Sequence, residues 1–126
     1  MSTRRGAWLL AAGRAAIGAA VLLAPEATIS RWLGAENARR GAVKALARGL
    51  AARDLGLAVA TIQTLDDPVI GPRVQLACAV ADGVDALATI LERDELPPVA
   101  AAGTVAVAGG AALAGLYLSH RLAHES

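Results

Sequence analysis

The stretch LAARDLGLAV, Leu50–Val59, sets Arg53 beside Asp54 in the middle of an otherwise apolar run. That run extends over about 42–63 and also contains Lys44 and Arg48. Three similar stretches accompany it. GAWLLAAGRAAIGAAVLLA covers 6–24 and is stopped by Pro25. A third covers about 72–92 and opens on Pro72, a residue suited to a first helical turn. The fourth, PVAAAGTVAVAGGAALAGLYLSH, covers 98–120. Each is close to the roughly 20 residues a helix needs to cross a ~30 Å hydrocarbon layer. Of these, 98–120 alone carries no Asp, Glu, Lys or Arg.

Composition points the same way. Apolar residues make up 56% of the 126 and charged residues 18%, with a mean hydropathy of +0.50. Soluble domains are usually roughly 45–50% apolar and about a quarter charged. There is no phenylalanine, and the aromatics are Trp8, Trp32 and Tyr117. A soluble core leans on aromatics for buried area. Helices that pack in lipid favour small residues, which let backbones approach. The 13 glycines among many alanines fit the second case. A net charge of +1 and the lack of a basic, aromatic-interleaved stripe argue against nucleic acid as a partner. The single cysteine, Cys78, excludes an internal disulfide.

The connections read as loops, with Asp-Pro and Gly-Pro punctuation in TLDDPVIGP and a short polar ERDELPP. The first connection, EATISRWLGAENARR, is longer. Its Ile29, Trp32 and Leu33 share a helical face, which predicts a short amphipathic helix at the membrane interface with Trp32 at headgroup depth. A plain polar loop is the alternative. Arg4 and Arg5 before an apolar run loosely resemble a twin-arginine signal. Arg14 interrupts that run and no small-x-small cleavage site follows, so the segment is expected to stay as a span. Basic residues nearly balance between the two sides: Arg4, Arg5, Arg73 and Arg121 against Arg31, Arg39, Arg40, Lys44 and Arg93. A cytoplasmic N-terminus is expected because the first helix often dominates orientation.

Depth is the informative quantity for the charges. Arg14, Arg53, Asp54 and Asp82 fall near the middles of their spans, Asp85 lies one turn on, and Arg48 lies about 7.5 Å from Arg53 at 1.5 Å per residue. One charge at a bilayer centre costs at least ~2.5–3.5 kcal/mol on insertion scales. The signs suggest compensation: Arg14, Arg48 and Arg53 against Asp54, Asp82 and Asp85. Gln75, Cys78, Asp82, Asp85 and Thr89 form one polar stripe on a helix. Gly49, Arg53 and Gly56 share a face of the second span, where the glycines would let a neighbour reach the guanidinium, and Arg14 sits one turn before Gly18. These patterns predict a buried Arg/Asp network between helices. Two roles stay open: a device that fixes helix register, or a polar site for a proton, an anion, or the head of a quinone or lipid.

Other candidates are weaker. His120 and His124 are four residues apart, a spacing that can serve a metal, but they sit in the tail without a companion ligand. Cys78 reads as a packing residue on the polar stripe. Ala106–Gly110–Ala114 and Ala111–Gly115 suit close helix packing. No nucleotide-binding glycine loop, Ser/His/Asp set or metal cluster is visible, and no cofactor, metal or catalytic residue is expected.

GRAAIGAAVLLAP (Gly13–Pro25) and ALARGLAARDLGLAV (Ala45–Val59) resemble small actinobacterial four-helix membrane proteins of unknown function, similar to the broader DoxX-like group. The resemblance covers the first half, reaches the third span through ADGVDAL, and extends to the fourth by hydropathy. It implies a four-helix integral membrane protein that matches the group at Arg14, Arg53, Asp54 and Asp82. In parts of the group it implies association with respiratory or redox-protective complexes.

The expected architecture is all-α: one integral membrane domain over 1–126, a four-transmembrane-helix bundle with a short interfacial helix between helices 1 and 2. The expected setting is the cell membrane of a bacterium, with the lipid bilayer as partner and self-association or a larger membrane complex. A structural or accessory subunit, a binding or transport module, and a membrane enzyme are carried in that order. A soluble alanine-rich helical bundle is the alternative fold.

Overall fold

Prolines and glycines set the helix ends in the computed structural model, which describes residues 1–125. Helix α1 (Thr3–Leu23) starts at Ser2, whose hydroxyl accepts the Arg5 backbone N–H at 3.2 Å. It stops just before Pro25, which opens α2 (Pro25–Leu33). Gly34, at φ 86°, ends α2, and α3 (Ala35–Ala38) follows. Glycine is required at 34 twice over. Its φ is positive, and a Cβ there would lie 2.9 Å from Pro97 Cγ. Helix α4 runs Gly41–Thr64. Helix α5 (Ile70–Leu91) begins where Asp67 Oδ1 accepts the N–H groups of Val69 (2.8 Å) and Ile70 (2.7 Å), with Pro72 in its first turn. A 3₁₀ turn at Arg93–Glu95 leads to α6 (Pro98–His124), with Pro98 at its first position.

The described residues form helices and turns, with no strand. The first connection differs from the expected single amphipathic helix. It is two short helices, because Gly34 breaks the chain between them.

Among the described residues three helices, α1, α5 and α6, are long and apolar enough to cross a membrane. Helix α4 has the length, but Lys44, Arg48, Arg53 and Asp54 lie along it. The long helices leave a broad apolar exterior. The most apolar window of α6 is 11% buried inside the chain. Leu9, Ile17, Val80, Leu87, Val107 and Leu113 all point outward.

The long helices alternate in direction. Arg14 meets Asp54 while Gly18 meets Ala51, so α1 and α4 are antiparallel. Arg53 meets Asp85 while Thr61 meets Cys78, so α4 and α5 are antiparallel. Gly115 meets Ala79 while the Ser119 hydroxyl donates to the Pro72 carbonyl at 2.8 Å, which sets α5 against α6. Gly6 meets Leu118 while the Thr3 hydroxyl donates to Glu125, which returns α6 to α1. The result is an up-down-up-down four-helix bundle. Its interior is mostly alanine: Ala7, Ala11, Ala47, Ala51, Ala58 and Ala79 are buried. Helices α2 and α3 cover one end, where Ile29, 1% exposed, packs with Val21, Ala38, Ala47 and Ala51.

Close approach is a stability requirement at specific glycines. A Cβ at Gly115 would sit 3.0 Å from Ala79 Cβ, whereas one at Gly110 would meet nothing within 4 Å. Gly115→Leu should cost about 1–3 kcal/mol by overpacking. Gly110→Leu should stay near wild type, as read by thermal unfolding in detergent.

The α4–α5 turn carries a pH dependence of known sign. The Ile70 and Val69 N–H bonds hold the Asp67 carboxyl below its ordinary value. The carboxylate's support of the turn is therefore fully present above the unfolded value and is lost as pH falls through the folded one. The Val69 and Ile70 amide shifts should titrate together in that acidic window, and Asp67→Asn should abolish the titration.

Candidate functional site

Five charged side chains from three helices converge near the middle of the bundle. Arg14 on α1 donates through Nη2 to Asp82 Oδ2 on α5 at 2.5 Å and through Nη1 to Asp54 Oδ1 on α4 at 3.3 Å. Its Nη2 also reaches the Cys78 carbonyl at 3.4 Å. Arg53 on α4 donates to its neighbour Asp54 from Nε (3.2 Å) and Nη2 (3.0 Å). It also makes a two-pronged bond to Asp85 on α5, Nη1 to Oδ1 at 3.2 Å and Nη2 to Oδ2 at 2.7 Å. The guanidinium fork fits a carboxylate in that geometry, which a lysine would not reproduce. The charges form a chain: Asp82, Arg14, Asp54, Arg53, Asp85.

The chain has an inner and an outer end. The Arg14 side chain is 10% exposed and that of Arg53 31%. Arg14 therefore ties α1, α4 and α5 together from inside. Arg53 closes the α4–α5 edge, where the two helices otherwise touch lightly.

The polar stripe of α5 faces inward along its length, with Gln75, Cys78 and Thr89 buried beside the two aspartates. Thr61 of α4 lies 3.5 Å from the Cys78 sulfur. One turn from Asp85, the Thr89 hydroxyl donates to the Asp85 carbonyl at 2.8 Å and accepts the Trp32 indole N–H at 3.1 Å. Helix α2 is thus latched to α5 beside the network. Both partners are plain in the sequence, but a pair 57 residues apart has no local signal.

Arg48 stands outside the group, contrary to the charge pairing expected from depth. It is exposed and makes no ion pair with any described residue. Five residues separate it from Arg53. At 3.6 residues per turn that is far from a whole number of turns, so the two side chains leave α4 in different directions. Gly49 and Gly56 likewise face open space, and no helix approaches Arg53 over them.

Two open clefts lie elsewhere on the surface. One, of ≈ 290 Å³, is lined by Trp32, Leu33, Val43, Ala88, Thr89 and Leu96 among others. The second lies around Glu26, Ser30 and Arg39. Neither is lined by a network residue. The His120 and His124 rings lie 4.2 Å apart, and no group of three or more metal-ligating side chains forms among the described residues.

No protein-family model, curated protein or solved structure matches this chain.

The network geometry separates critical from dispensable charges. Arg14→Leu leaves the largely buried Asp82 carboxylate without its ion-pair partner and takes one of the three bonds from Asp54, and should cost about 3–5 kcal/mol. Arg14→Leu combined with Asp82→Leu should recover part of that loss, because removing both partners leaves no stranded charge between them. Arg48→Ala should stay within about 0.5 kcal/mol of wild type. Chemical denaturation in a mild detergent reads all three.

Proposed function

We propose that the chain is a polytopic membrane protein with four spans, acting as a structural or accessory subunit whose Arg/Asp network fixes helix register from inside. The observation that carries this reading is the direction of the pairing. Arg14 and Arg53 spend their donors on carboxylates of neighbouring helices and on Asp54 between them.

The bilayer is supported by the apolar exterior. Monomeric soluble proteins rarely expose contiguous apolar patches beyond a few hundred Å², and here outward-facing leucine, isoleucine and valine run along every long helix. That exterior weighs against a soluble alanine-rich bundle. Helix α4 is the fourth span on this reading. Its central charges, Arg53 and Asp54, are matched by partners on α1 and α5, so the cost of placing them at bilayer depth falls. Arg48 and Lys44 lie toward the α4 start, where long basic side chains can extend to the interface. Helix α2 is the interfacial element, with its Trp32 at headgroup level. The resemblance of Gly13–Pro25 and Ala45–Val59 to the DoxX-like group supports a bacterial cytoplasmic membrane setting, and a role within a larger complex or a self-assembly.

The test is topological. Four spans place both termini on one side, whereas three place them on opposite sides. Reporter fusions at each end should report the same compartment, the cytoplasm, and the chain should resist an alkaline wash of the membranes. Extraction into polymer-bounded lipid discs should yield particles holding more than one polypeptide; a lone chain would count against the subunit role.

A further inference from the structure

The network holds two guanidiniums and three carboxylates, so one negative charge is unmatched. Arg48 does not supply the missing cation, because it faces outward. We propose that the network binds one exchangeable proton, carried on the Asp82 carboxyl, and is therefore a proton site as well as a cross-link. The proposal rests on the membrane reading above, since an unbalanced charge matters most where water cannot screen it.

Hydrogen bonding selects the carrier. Asp85 uses both oxygens on the Arg53 fork. Asp54 has an oxygen, Oδ2, without a partner among the described residues, but its Oδ1 accepts three bonds from guanidinium groups, one from Arg14 and two from Arg53, and protonation would weaken all three. Asp82 accepts one bond, at Oδ2 from Arg14, and its Oδ1 has no partner among the described residues. A proton on Oδ1 would leave Oδ2 free to go on accepting from Arg14 as a carbonyl oxygen. Of the three carboxylates, Asp82 therefore gives up least on protonation. The groups around it are Arg14 on α1, Arg53 and Asp54 on α4, and Cys78 and Asp85 on its own helix; α6 brings no charged side chain to the network. Its side chain is 13% exposed and no buried side-chain oxygen lacks a partner, so the idle oxygen reaches the surface of the chain and is not sealed from an arriving proton. The step is a simple one: the proton arrives from water onto Oδ1 and leaves by the same route, with no other bond made or broken.

Infrared difference spectroscopy of the full chain in phosphatidylcholine vesicles tests this. The expected result is a protonated-carboxyl C=O band at neutral pH that disappears on alkalinisation. Asp82→Asn should lose the band yet fold as wild type, because its amide oxygen still accepts from Arg14. Asp82→Glu should keep the band at a shifted frequency, and Asp67→Asn should leave it unmoved. A folded wild type without the band, a band that survives Asp82→Asn, or an Asp82→Asn chain that does not fold would each overturn the proposal. A chain stripped from the vesicles by alkaline washing would overturn the membrane reading itself, which separates the two failures.

Discussion

The structure depends on one guanidinium serving two helices at once. Arg14 reaches Asp82 on α5 and Asp54 on α4 from a position on α1. A side chain with one point of charge could satisfy one carboxylate well. The planar fork satisfies two in different directions and adds the Cys78 carbonyl. Helix rotation is thereby constrained: turning α1, α4 or α5 about its axis breaks a bond at Arg14. Apolar packing alone would restrain that rotation weakly here, because alanine surfaces look alike from many angles.

The same alanines make the network possible. Arg14 meets Asp54 because α1 and α4 lie close, and they lie close because Gly18 and Ala51 bring little bulk to their contacts. Larger side chains at those contacts would separate the helices and lengthen the Arg14 bonds. The large apolar residues lie mostly outside, at Leu9, Leu87 and Leu113 for example. Leu118, Leu122 and Ile29 are exceptions, Ile29 the most deeply buried of them. Ile29 is buried because α2 folds over the bundle end and fills space that alanine leaves there.

How much of this is legible in the sequence varies by kind of information. Helix existence follows from apolar length, and the ends from Pro25, Pro72 and Pro98. The inward face of α5 is legible because Gln75, Cys78, Asp82, Asp85 and Thr89 repeat at helical spacing, so five residues agree on one direction. Arg48 escapes for the opposite reason. Depth along a helix says how far a charge sits from its neighbours in the chain, but not which way it points. Gly49 and Gly56 escape with it: they share the Arg53 side of α4, yet Arg53 meets α5 at the edge of the helix pair and the glycines look outward. The Trp32–Thr89 latch depends on tertiary contact between α2 and α5, which no local pattern encodes.

Hydropathy and charge pairing disagree about α4. By apolarity, α1, α5 and α6 qualify as spans and α4 does not. A hydropathy sum counts Arg53 and Asp54 as though each met lipid alone. In the bundle Asp54 lies against Arg14 and Arg53 against Asp85, so the partners that offset those charges come from other helices. The dependence also runs in reverse. Arg14 and Asp82 belong to α1 and α5, which qualify as spans by themselves, and Arg14 would be short of a partner for Nη1 without Asp54. If α1 and α5 enter a bilayer with their charges at mid-height, α4 follows at the same depth, because the bonds to Arg14 and Asp85 leave it no other level. The least apolar of the long helices is thus tied to its neighbours by the charges that count against it in a hydropathy sum.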